Sequence, residues 1–148
     1  MLCLETKSWA KINLYLLVKG KRADGFHDLD TLFQEIDLAD RLVWSPDSGS
    51  LEIDVLGAVN IPLQENLCFK VAQKFTAVTG INVNGRLIIH KHIPMGGGLG
   101  GGSANAVAFL KLLISHFQPI VDEQEWLSRL LEIGSDLPFF WRGGSQRA

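Results

Sequence analysis

Between Pro94 and Ser103 the chain reads Pro-Met-Gly-Gly-Gly-Leu-Gly-Gly-Gly-Ser, six glycines around one leucine. No other stretch narrows the possible folds so far. Glycine tolerates positive φ and lets the backbone approach another group closely, so successive N–H groups can turn inward around an anion. Arg86 to Ile93, just before, is strand-like, and Ser103 to His116, just after, is an almost wholly apolar helical run. The N-terminus of that helix adds partial positive charge at the same place. Strand, glycine loop and buried helix together describe a phosphate cradle. A flexible linker would join two exposed segments, and this loop abuts a buried one.

Two familiar cradles fit poorly. A Walker A loop ends in Gly-Lys-Ser/Thr, and no lysine separates Gly102 from Ser103. The G-x-G-x-x-G pattern is met by Gly96, Gly98 and Gly101, but a dinucleotide site also wants an acid about 20 residues on, at a strand end. Asp122 and Glu123 lie at that distance and start a helix instead. His90, Lys91 and His92 read as solvated strand positions rather than a buried parallel strand. A dinucleotide-dependent oxidoreductase stays open only as a second choice.

The rest of the chain surrounds the loop with mixed elements. Residues 8–18 alternate with period two, putting Ala10, Ile12, Leu14, Leu16 and Val18 on a core face and Lys11, Asn13 and Tyr15 on the other. Lys19 to Asp28 is a polar loop. Leu29 to Asp37 and Arg41 to Trp44 are predicted as two separate strands, with Pro46 to Gly49 a turn before Leu51 to Val55. Leu67, Val71, Phe75 and Val78 give a helix that stops at Gly80. Asp122 with Glu125 forms a capping box for a helix ending at Gly134, and Pro138 opens a short further helix. Strands in succession without intervening helices imply an antiparallel or mixed sheet, hence an α+β fold. Gly143-Gly144 is a turn four residues before the last residue, so the chain is expected to continue beyond Ala148.

Composition then removes whole classes. A net charge of −2 from 14 basic and 16 acidic residues gives no phosphate-neutralising excess, so nucleic acid is not an expected partner. At 47% hydrophobic and 20% charged the chain is globular rather than disordered. Cys3 and Cys68 form neither a disulfide framework nor a C-x-x-C metal site, which suits a reducing cytoplasm. The apolar runs Ile12–Val18 and Ala106–Leu110 fall far short of the roughly 20 residues that a membrane helix needs.

Residues 94–103 resemble the phosphate-binding motif of the GHMP kinases, the superfamily named for galactose, homoserine, mevalonate and phosphomevalonate kinases. Ala-Lys-Ile-Asn-Leu (10–14), Arg-Ala-Asp-Gly-Phe-His (22–27), Glu-Asn-Leu (65–67) and Gly-Ser-Asp-Leu-Pro-Phe-Phe (134–140) follow in the order of the family's cytidine-diphosphate branch. The resemblance implies a ribosomal-protein-S5-domain-2-like N-terminal domain over residues 1–148, with a ferredoxin-like C-terminal domain beyond it. It also implies a cytoplasmic kinase that uses ATP and Mg²⁺ on a small cytidine diphosphate substrate; a non-catalytic nucleotide-binding fragment is the alternative.

Roles follow position by position. Asp136 and Lys11 match the catalytic pair, although alone they would pass for a helix cap and a solvated strand lysine. Pro94, Met95, Gly96, Gly97, Gly98, Leu99, Gly100, Gly101, Gly102, Ser103 and Ala104 match the ATP loop, with Asn66 near adenine. Ala104 replaces a commoner serine and removes one hydroxyl that phosphate or Mg²⁺ could use. Asn13, Phe26 and His27 match substrate positions. Phe26 stands where tyrosine is usual, keeping a stacking face without the hydroxyl. No residue is assigned to a metal.

Overall fold

A computed structural model describes residues 2–47 and 49–147. Residue 48, within the turn expected at Pro46–Gly49, lies outside the described residues, as does Ala148. The long second strand organises everything else. β1 (Leu4–Lys21) and β2 (His27–Ser45) form one antiparallel hairpin, and β2 continues unbroken where two strands were expected. β3 (Glu52–Leu56) leads through a short 3₁₀ turn to α1 (Leu67–Thr79), and β4 (Arg86–His90) follows. Then come α2 (Gly101–Phe117), α3 (Glu123–Ile133), α4 (Leu137–Arg142) and β5 (Ser145–Arg147). The sheet runs β1-β2-β4-β3, with β5 on β2; only β3 and β4 are parallel.

The helices begin and end for reasons legible in their caps. Asn66 accepts from the Cys68 N–H at 2.9 Å to open α1, and Gly80 closes it at φ 74°. Asp122 accepts from the Glu125 N–H at 2.9 Å to open α3, as the capping box predicts. α2 buries Ala104 to Leu110 and Leu113, which its apolar sequence required. It packs on α1 and on β1 and β2 of the sheet, where the Trp44 ring meets Phe109 edge-on at 5.7 Å. The Trp44 indole N–H is satisfied by the Asn84 carbonyl at 2.9 Å. Phe75 stacks on Trp126 and joins α3 to the same core. Cys68 and Cys3 are free thiols, and burial pushes the Cys68 thiol up to about 12. No helix among the described residues is long and apolar enough to cross a membrane.

The period-two reading of β1 fails beyond its first half. Ser8, Ala10 and Lys11 are buried, whereas Leu14, Leu16 and Val18, assigned above to the core, are more than half exposed. Two causes act together. The pairing slips, since Trp9 faces Ala39 while Lys11 faces Glu35, so Ile36–Leu38 bulge opposite Ala10. Beyond Asn13 the hairpin also runs off the edge of the helical layer, and apolar residues there meet no partner surface.

Candidate active site

The loop joins β4 to α2 through glycines that need their conformations. Gly96, Gly98 and Gly100 sit at φ 79°, 72° and 70°, where a side chain is strained. At Gly100 a Cβ would also lie 2.6 Å from Phe140 Cζ and 3.3 Å from Lys11 Cγ. The first intrahelical bond of α2 runs from the Ala104 N–H to the Gly100 carbonyl, so the amides of Gly101, Gly102 and Ser103 have no partner within the helix. No acid stands in that first turn. The contrast with α3 is informative: Asp122, Glu123 and Glu125 occupy its N-terminus, leaving no field for an anion. α2 alone among these two presents an open anion site.

Beside the loop the core opens into a cleft walled by Val55, Ile61, Leu67 and Ile89, with Asn66, Lys91 and Asn105 as its polar members. Asn66 is buried and already caps α1, so the capping role stands together with its place in the cleft. Ala104 is buried in the core and carries no polar function there.

Lys11 lies under the loop. Its N–H donates to the Leu99 carbonyl at 2.9 Å, a bond freed for it by the bulge in β2. Its ammonium donates to Asn13 Oδ1 at 2.6 Å and sits 4.8 Å from the centre of the Phe33 ring. Asn13 Nδ2 donates to Thr31 Oγ1 at 2.7 Å, and that hydroxyl donates to the Tyr15 carbonyl. This chain of bonds turns the Asn13 oxygen toward Lys11. At 5% exposure Lys11 is no solvated strand lysine.

Asp136 stands at the start of α4, half-buried, and its side chain caps nothing. The helix-cap explanation therefore fails on geometry. Four residues on, the Phe140 ring of the same short helix lies against Gly100 and so brings α4 up to the loop. The Lys11 ammonium is engaged by Asn13 and not by Asp136. Lys111 holds α4 in place by donating to the Trp141 carbonyl at 2.7 Å, and burial lowers its pKa. Phe26 and His27 stand at the other end of the hairpin, apart from Lys11. Phe26 is 71% exposed and plugs no core, and its N–H is fixed by Asp24 Oδ1 at 3.0 Å.

One part of the site escaped the sequence reading. Lys91, taken there as solvated, is buried in an ion pair with Asp40, itself fully buried. Asp40 Oδ1 also accepts from the His92 and Ile93 amides at 2.6 and 2.8 Å, and Oδ2 from Asn105 Nδ2 at 2.9 Å. Burial alone would raise the Asp40 pKa; the Ile93 amide, the Lys91 ammonium, the His92 amide and Asn105 outweigh it and hold the carboxyl below its usual 3.8. A signal was available. Asp40 is in phase with buried Leu42 and Trp44, and Lys91 with buried Leu87, Ile89 and Ile93. A charge in phase with a core face needs a partner.

The dinucleotide reading does not survive the topology. β4 is antiparallel to β2, and α2 leads to α3 rather than to a parallel strand. Residues 66–144 match the family described as GHMP kinases N terminal domain. The chain is 41% identical, over 138 residues, to 4-diphosphocytidyl-2-C-methyl-D-erythritol kinase of Persephonella marina, covering 93% of this chain and 50% of that protein. A crystal structure of 4-(cytidine 5'-diphospho)-2C-methyl-D-erythritol kinase superposes with a TM-score of 0.80 at 36% identity, over 98% of this chain and 52% of the other. Methanococcus jannaschii mevalonate kinase superposes at 0.71 and 13% identity, over 98% and 53%, a likeness of fold. The chain thus spans about half the length of the curated relatives it matches.

Proposed function

The chain belongs to the GHMP kinases, and we propose that it carries the ATP-binding part of a kinase that phosphorylates the 2-hydroxyl of 4-diphosphocytidyl-2-C-methyl-D-erythritol, in non-mevalonate isoprenoid biosynthesis. One observation supports this above others. Lys11 from β1 and Phe140 from α4, four residues beyond Asp136, meet at Gly100 beside an anion-ready helix end.

In this reading the triphosphate lies against the amides of Gly101, Gly102 and Ser103, within the segment Pro94 to Ala104. Adenine enters the apolar cleft beside Asn66. Asp136 takes the proton of the 2-hydroxyl as its oxygen attacks the γ-phosphorus; the bond to the β,γ-bridging oxygen breaks and ADP leaves. Lys11, oriented by Asn13, holds the hydroxyl and carboxylate in line, and positioning of this kind is most of what phosphoryl transfer requires. Phe26 offers a free face for stacking on cytosine, and His27 a polar edge. Mg²⁺ neutralises phosphate charge when bound. No group of three or more His, Cys, Asp or Glu gathers among the described residues, and Mg²⁺ on a nucleotide needs none, since phosphate oxygens and water fill most of its shell. The reaction runs in the cytoplasm on small soluble substrates.

Titration calorimetry with ATP and with NAD tests the cradle, and transfer of labelled γ-phosphate by the protein expressed from its whole reading frame tests the chemistry. ATP binding with transfer to the cytidine substrate is expected. NAD binding without ATP binding overturns the kinase reading, and ATP binding without transfer leaves a non-catalytic nucleotide-binding module.

A further inference from the structure

Lys91 lies one residue beyond His90 and Asp40 one residue before Arg41, and those two are the final pair of the β2–β4 ladder. The two charges are therefore directly opposite across the strands. As a stabilising device a buried ion pair is a poor choice, because desolvation consumes most of the Coulombic gain. What distinguishes this one is where its other bonds go. Asp40 Oδ1 receives the amides of His92 and Ile93, the last residues before Pro94 and the glycine loop. Asp40 Oδ2 receives Asn105, in the first turns of α2 just after the loop. Asn105 also donates to Ser8 Oγ at 2.6 Å and accepts from Lys91 at 3.2 Å. A Cβ on Gly101 would lie 2.9 Å from the Lys91 nitrogen, so the start of α2 rests on the same ammonium. One carboxylate thus ties down both ends of the cradle.

We propose that Asp40 is a positioning residue for phosphate binding, a clamp that sets the spacing between the end of β4 and the start of α2 so that the loop amides are pre-arranged for a nucleoside triphosphate. The proposal rests on the nucleotide reading above and names a residue that acts through the loop without touching the ligand. Cut the clamp, and the loop keeps its sequence but loses its fixed span. The phosphate end of a nucleotide suffers, and the nucleoside end, held by apolar walls, does not.

The test is a ligand ladder of adenosine, ADP and ATP, titrated onto the chain and its variants well below their melting temperatures. Asp40→Asn is expected to weaken ATP about tenfold or more, ADP less, and adenosine hardly at all, with near-ultraviolet dichroism of the buried tryptophans unchanged. A variant that melts earlier but binds all three like the parent overturns the clamp and leaves a merely structural ion pair. Where Asp40→Asn does not fold, Asn105→Ala, which leaves the charge pair intact but also lines the cleft, is judged by the ratio of ATP to adenosine affinity. Hydrogen exchange separates this inference from the nucleotide reading. Faster exchange of the Lys11 and Ala104 amides, both bonded within the loop region, supports the clamp even if the parent binds no ATP. Unchanged exchange in both variants overturns it.

Discussion

The same two strands behave in opposite ways at their two ends. At the base of the hairpin Ser8, Lys11 and Asp40 are buried, each with named partners. At the tip Leu14, Leu16, Val18 and Leu29 are more than half exposed. Polar groups lie inside and apolar ones outside, the reverse of the usual alternation. The base tolerates its charges because backbone amides and opposed side chains satisfy them. The tip exposes its leucines because no helix of the described chain reaches that far. Residue type therefore reports burial only where a second layer exists to bury against.

The widest gap between the two ends is expected in chemistry. Asp136→Asn, in the protein from its whole reading frame, should lower kcat by about 10²–10⁴ with ATP affinity near the parent value, as loss of a proton acceptor does. A merely structural place at the start of α4 would make that change nearly silent, since asparagine has almost the same size and is as acceptable as aspartate at a helix start. Single-turnover transfer distinguishes the two.

Stability should separate the ends next. Leu42→Ala, at a fully buried base position, should cost about 2–5 kcal/mol, while Leu16→Ala at the tip should stay within about 0.5 kcal/mol. Urea unfolding measures both. Equal losses would mean that the tip is buried in solution and would end the contrast.

A smaller effect probes what the tip is for. Phe26→Ala should raise KM for the cytidine substrate roughly tenfold, since base–aromatic stacking is worth about 1–3 kcal/mol, and leave KM for ATP unchanged. Equal changes for both substrates would assign Phe26 to packing.

The mildest test is acid. Asp40 is held below 3.8 in the folded chain and returns to its ordinary value on unfolding. Its contribution is therefore complete above the unfolded value and is lost as pH falls through the folded one. Asp40→Asn should flatten the stability–pH profile on the acid side of about pH 4 and leave the profile near neutrality parallel to the parent's. An acid limb as steep as the parent's would place the titration elsewhere.

How much of this was legible beforehand depends on the range of the interaction. The glycine loop, the Asp122–Glu125 cap, the Gly80 stop and the buried run of α2 are local, and neighbours in sequence announce them. The Asp40–Lys91 pair joins residues 51 apart, and nothing near either one names the other. The unity of β2 was hidden because Ile36–Leu38 interrupt the alternation, and the bulge that causes this exists only once β1 is laid alongside. The place of Lys11 under Leu99 depends on the same bulge.

That bulge also decides where the chain can change length. Removing one residue from Ile36–Leu38 would shift the register of β2 by one and turn its side chains to the opposite faces, so either Lys11 or the Asp40–Leu42–Trp44 series would lose its place. The turn at Arg22–Phe26 carries no such burden. A residue added there leaves the strands beneath in register and moves only Phe26 and His27, so the fold tolerates changes of length at the tip, where the proposed cytosine contact alone opposes them, and refuses them at the bulge.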